Sequence, residues 1–189
     1  MKLHILGASC SGVTTLGQVL ANHLQIPYFD SDEYFWEKAN PPFTTRRNPA
    51  LRNEMLMADI SQYDSWVIGG SLLKWDLELH FDLIVFLYIP HEIRMERLRK
   101  RELERYGDVI FSDPVRHKQY LDFMEWARGY DDNTTQGRTL RAHESWLSRQ
   151  TCSVLEIRGD YSVEERMRVI LQTLTSQKSV SGAQNPIGR

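Results

Sequence analysis

The chain has 189 residues, 41% hydrophobic and 25% charged, with a formal net charge of −2, the numbers of an ordinary globular domain with room for a sizeable core. Near-neutrality excludes whole-molecule attraction to nucleic acid or to an anionic membrane, so any anion site must come from local Arg or Lys clusters. Cys10 and Cys152, far apart and in no CxxC spacing, exclude a disulfide framework or a zinc site and fit a reducing cytoplasm.

Leu3 to Leu6 is an apolar run closed by Gly7, too short for a signal peptide and suited to a buried first strand. Val13, Leu16, Val19, Leu20 and Leu24 recur at helical spacing and predict a helix over 14–24. Ile26 to Phe29 reads as a second strand, closed by Asp30-Ser31-Asp32. Ser31 or Asp32 then caps a helix through Lys38, which Asn40-Pro41-Pro42 stops. Asn48-Pro49 opens another helix, with Leu51, Met55, Leu56 and Ile60 on one face. Trp66 to Ile68 is a third strand ending in Gly69-Gly70. Asp82 to Ile89 holds the strongest strand signal, a near-continuous apolar run expected where helices cover both faces of a parallel strand. His91 to Arg105 is a highly charged helix, and 106–136 is polar with a helix around Val115 to Ala127. Residues 137–149 read as helical, Ser153 to Ile157 as a fifth strand and Ser162 to Leu174 as a final amphipathic helix. Residues 176–189 lack periodicity and are expected to form a disordered tail. No stretch approaches the roughly 20 apolar residues of a membrane helix, so a soluble, cytoplasmic protein is expected.

Strand and helix alternate, which predicts an α/β fold with a five-stranded parallel sheet and right-handed crossovers. Two excursions, 31–65 and 102–137, interrupt the alternation and are expected beside the carboxyl ends of the strands, where open α/β sheets bind ligands.

The segment Gly7-Ala8-Ser9-Cys10-Ser11-Gly12-Val13-Thr14, followed by Thr15, matches G-x-x-x-x-G-K-[ST] at every fixed position but the lysine. In such a loop successive amides point inward at phosphate oxygens, and the following helix adds its positive end. Thr14 would present a hydroxyl to Mg²⁺. Val13 cannot supply the charge that a lysine would bring, so either another cation fills that place, with Lys74 and the arginines of the second excursion as candidates, or binding is weakened.

Asp30 and Asp32 end the second strand two residues apart, and they suit either helix capping or a hydrated metal and a substrate hydroxyl. Gly69-Gly70 would let a substrate approach the backbone. Arg46, Arg47 and Arg52 lie in the first excursion, and their planar forks suit an anionic acceptor. Arg97 and Arg101 share one helix face, although ion pairs along an exposed helix explain them equally. The six histidines read as packing, with a His143–Glu144 pair the weaker alternative.

Gly7 to Leu16, Tyr28-Phe29-Asp30-Ser31-Asp32, Gly69-Gly70-Ser71 and Arg97 to Arg101 resemble the adenylate kinase and shikimate kinase group of P-loop kinases. More narrowly they resemble bacterial adenylate-kinase-like proteins with a GASxSGxTTLG loop. The resemblance spans 1–175 as one domain and implies the three-layer P-loop NTPase fold with strand order 2-3-1-4-5. The first excursion would then bind the acceptor and the second would be a lid. It also implies Asp30 on the metal side, Asp32 on the substrate side, Arg97 stacking on adenine and Arg101 reaching phosphate. Arg138 and Arg141 would be the lid-exit arginines that neutralise the transferring group, and Gly159-Asp160 would meet adenine through backbone. The expectation is a Mg²⁺-ATP-dependent phosphotransferase for a small acceptor, a nucleoside monophosphate or a hydroxylated metabolite. A nucleotide-binding protein with little catalysis is the alternative that Val13 keeps open.

Overall fold

The computed structural model of the protein describes residues 1–40 and 42–182. Its centre is a wholly parallel sheet of β1 (Lys2–Gly7), β2 (Tyr28–Asp30), β3 (Trp66–Gly69), β4 (Leu83–Tyr88) and β5 (Ser153–Arg158), in the order β2-β3-β1-β4-β5. This is the order and the class that the sequence leads one to expect. The register sets Ile5 and Asp30 beside Gly69, and Gly7 beside Leu87. Gly7, Asp30 and Gly69 therefore end their strands along one edge of the sheet.

Alternate side chains of each strand feed opposite layers. On one face Leu3, Ile5, Val67, Leu83 and Val85 pack against Leu16 and Leu20 of α1 (Val13–Leu24) and Met167, Ile170 and Leu174 of α8 (Val163–Gly182). On the other, Leu6, Ile68, Ile84 and Phe86 pack with Leu56 and Ile60 of α3 (Pro49–Ile60) and Leu147 of α7 (Leu140–Leu147). His4 of β1 lies in this second layer, fully buried, with its Nδ1 3.2 Å from the Ile68 carbonyl.

Three helices differ from expectation, each for a local reason. The helix after β2, α2 (Ser31–Phe35), stops before Lys38 because Trp36 turns extended and bridges Arg46. Thr139, not Gly137, starts α7, its hydroxyl accepting from the Ala142 amide at 3.1 Å. The last helix opens on a reciprocal cap between Ser162 and Glu165. It continues past 176, where a disordered tail was expected, and 183–189 lie outside the described residues. The second excursion, 102–137, is itself largely helical: it takes in the end of α4 (His91–Tyr106), a single turn α5 (Val109–Ser112) and α6 (Pro114–Arg128), whose Met124 and Ala127 pack on Met95 and Leu98 of α4.

Candidate functional site

The loop between β1 and α1 is tight. Cys10 takes φ 64°, Gly12 takes φ 90° as the N-cap of α1, and the Ser11 amide closes on the Ala8 carbonyl at 3.1 Å. At Gly12 a side chain would be strained by the left-handed backbone. Leu16 makes the first helical bond, to the Gly12 carbonyl. The amides of Cys10, Gly12, Val13, Thr14 and Thr15 have no acceptor among the described residues. A ring of free donors at the positive end of a helix is an anion cradle. Val13 turns inward and packs on the core between the sheet and α1.

Thr14 leaves the cradle on its outer side and donates to Asp30 Oδ2 at 2.9 Å. The same oxygen accepts from the Tyr28 hydroxyl at 3.2 Å, while Asp30 Oδ1 caps α2 through the Asp32 amide at 3.0 Å. Capping and site geometry thus coexist in Asp30. Room for the Tyr28 ring comes from Gly69, where a Cβ would stand 2.1 Å from the Tyr28 oxygen. Packing therefore explains Gly69, and Gly70 follows with its amide on the Ile5 carbonyl at 3.0 Å. Burial pushes the Asp32 carboxyl above its ordinary value; Asp30 adds to this, and Arg138, Arg101 and Arg105 pull the other way.

Those opposing charges show where the arginines converge. Arg101 and Arg105 act on both Asp32 and Cys10, joining α4 to the loop and to α2. Arg138 acts on Asp32 and lies over the Trp126 ring at 5.8 Å. Arg105 stands 4.7 Å from the Phe43 ring centre. Arg101 is paired with Glu102 at 3.0 Å, and Arg97 with Asp160 at 2.6 Å, which joins α4 to the loop after β5. Arg141 is exposed, its backbone amide bonded to Asn133.

In the first excursion Arg46 is exposed, about equally near the rings of Phe35 and Trp36. Arg47 and Arg52 are taken up by the fold. Arg47 donates to the carbonyls of Glu33 and Tyr34, and Arg52, 7% exposed, holds the Lys74 carbonyl at 3.0 Å beneath the Trp75 ring. Lys74 itself is exposed. His143 is fully buried between Ser71 Oγ (3.1 Å) and the Tyr130 hydroxyl (2.8 Å), and burial takes its pKa down to about 3. It is a neutral packing group, and Glu144 turns away to Arg158 at 2.8 Å.

Tyr28, Arg105 and Arg166 carried no site role in the sequence. Arg105 extends the stripe of Arg97 and Arg101 by one more turn. Arg166 interrupts the apolar face of α8 formed by Val163, Met167, Ile170 and Leu174. Either irregularity was available as a signal.

No group of three or more His, Cys, Asp or Glu gathers as a metal cage among the described residues. A magnesium ion that arrives with a polyphosphate needs only one or two carboxylates. The Thr14 hydroxyl and Asp30 carboxylate, both hard oxygen donors 2.9 Å apart, fit it.

A parallel sheet in this order, a loop of free amides after β1 and an aspartate beside it at the end of β2 are the arrangement of the P-loop kinase fold, as in the adenylate kinase and shikimate kinase group. A shikimate kinase of Aquifex aeolicus is 29% identical over 111 residues, covering 52% of this chain and 66% of its own. Among solved structures, a deoxyadenosine kinase from M. mycoides with bound dATP shares the fold at a TM-score of 0.57, with 12% identity, 93% of this chain covered and 100% of that one. No protein-family profile matches the chain. The uncharacterised protein YqaC of Bacillus subtilis is 39% identical over 177 residues, 93% of this chain and 98% of its own. The chain belongs to the family of YqaC.

Proposed function

We propose that the protein is a Mg²⁺-ATP-dependent phosphotransferase acting on a small acceptor. The observation that carries this reading is the Thr14–Asp30 hydrogen bond at 2.9 Å, at the rim of a loop whose amides are free. The free amides would bind the β and γ phosphates. Thr14 and Asp30 would hold Mg²⁺, which when bound neutralises phosphate charge and orients the chain. Asp32 orients the acceptor and, its carboxyl raised by burial, accepts from an acceptor hydroxyl. Arg101, Arg105 and Arg138, whose charges already act on Asp32, would concentrate positive charge where the transferring group passes, the main requirement of phosphoryl transfer. The second excursion acts as the lid. Arg97, on the same helix, meets the adenosine end through its pairing with Asp160.

The acceptor is a nucleoside monophosphate or a hydroxylated metabolite. Phe35, Trp36 and Phe43 meet ring to ring in the first excursion, with Arg46 near Trp36 and Arg105 near Phe43. Flat rings beside guanidinium groups suit a planar base bearing phosphate, which favours the nucleotide.

Calorimetry with Mg²⁺-ADP, followed by ADP production with Mg²⁺-ATP and a panel of nucleoside monophosphates and hydroxy acids, tests the reading. Binding followed by acceptor-dependent turnover is expected. Tight binding with no turnover on any acceptor leaves the alternative, a nucleotide-binding protein; no binding to ATP, ADP or GTP removes both.

A further inference from the structure

Position 13 carries no charge in the phosphate loop, yet a buried cation reaches that loop from the far end of the chain. Arg166, in the first turn of α8, is 4% exposed. Its Nη1 donates to the Ser11 carbonyl at 2.9 Å and stands 2.8 Å from where a Gly12 Cβ would lie. The guanidinium is thus laid against the residue that caps α1. Its Nε and Nη2 are also buried, and they have no partner among the described residues.

This placement is costly as it stands. A buried guanidinium normally faces a carboxylate, and among the described residues none lies within ion-pair distance of Arg166. Burial, the largest effect, and Arg97 both disfavour its charge; Asp160 and Glu165 oppose them. The head of α1 contributes positive potential of its own. Two unpartnered donors, a helix dipole and a second arginine concentrate positive charge beside the loop of free amides, with no carboxylate paired to Arg166 among the described residues. On α8 the residue occupies a position where an apolar side chain would complete the stripe, so packing gives no reason for a charge there.

We propose that Arg166 is the phosphate-binding cation of this loop, standing in for the side chain that Val13 lacks, with the nucleotide's phosphate supplying the missing counter-charge. The assignment rests on the phosphate-loop reading above. It places the positive charge on the flank of the loop nearest the Arg97–Asp160 pair.

A four-way comparison by calorimetry with Mg²⁺-ADP tests it, using the wild type, Arg166→Met, Val13→Lys and the double variant. Arg166→Met is expected to weaken binding about 30-fold, the scale of a lost charge-assisted hydrogen bond. Val13→Lys should recover about tenfold in the Arg166→Met background and change the wild type less than about threefold, because only one cation is needed. Equal affinity in wild type and Arg166→Met, or a loss that Val13→Lys does not recover, overturns the assignment. A wild type that does not bind Mg²⁺-ADP removes the phosphate-loop reading itself, a different result. If Arg166→Met fails to fold, the ¹⁵Nε–H resonance of Arg166 in the wild type decides. It should shift and exchange slowly on addition of Mg²⁺-ADP, and a resonance unmoved at saturation overturns the proposal.

Discussion

Asp30 accepts three hydrogen bonds at once, from Thr14, Tyr28 and the Asp32 amide, so an amide in its place keeps the shape and loses an acceptor and a charge. Asp30→Asn is expected to reduce the Mg²⁺ dependence of ADP affinity from about tenfold to below about threefold, roughly 0.7 kcal/mol or more, as measured by titration with Mg²⁺ and with EDTA. A variant that keeps the full dependence would count against Asp30 as the metal-side carboxylate. Two buried histidines set a separate acid limit. Folding holds His4 at about 4 and His143 at about 3, both mainly by burial. Both values lie below the ordinary 6.5, so the unfolded chain takes up these protons first. Stability should therefore be complete above pH 6.5 and fall as pH drops toward 4, by on the order of 5 kcal/mol. Urea unfolding across that range checks it, and His143→Gln should remove about half of the slope. The tight loop and the cap on α2 were legible at this scale because their geometry depends on neighbours in sequence. The fates of Arg47 and Arg52 were not, since the carbonyls of Glu33, Tyr34 and Lys74 that hold them become available only when the chain folds back.

Strands were the easiest elements to read, because a run such as 83–87 has no amphipathic alternative and is covered on both faces. Helix ends were harder. Where α2 stops depends on the pairing of Trp36 with Arg46, a contact across a loop that carries no local signal. The glycines that end β3 suggested a substrate approach, and packing accounts for the first of them. Gly69 and Gly17 make the slot in which Tyr28 passes between β3 and α1. Gly69→Ala should cost about 2 kcal/mol by overpacking, read from the denaturant midpoint. The second change Tyr28→Ala should recover part of that loss. Additive losses in the pair would show that Tyr28 is not what Gly69 accommodates.

At the scale of the whole molecule, α1 and its loop sit at the join of the sheet, α8 and the second excursion, so a ligand there should brace all three. Mg²⁺-ADP at about 100 times its dissociation constant should add about 2.7 kcal/mol. For a chain of this length that is a rise in Tm of roughly 5–10 °C, measurable by calorimetric melting, and no rise would exclude tight binding to the folded state. The parallel five-stranded sheet was legible from strand alternation, and its order from the resemblance of the motifs. The mutual contact of the two excursions was not, because Phe43 and Arg105 belong to different excursions and meet only in three dimensions. That contact has a consequence for binding. In the proposed kinase a latch shared by both arms would keep either from swinging out while the other stays fully shut, so entry and exit of the two reactants would be coupled. In binding titrations each reactant should then raise the affinity for the other, and Phe43→Ala should reduce that coupling.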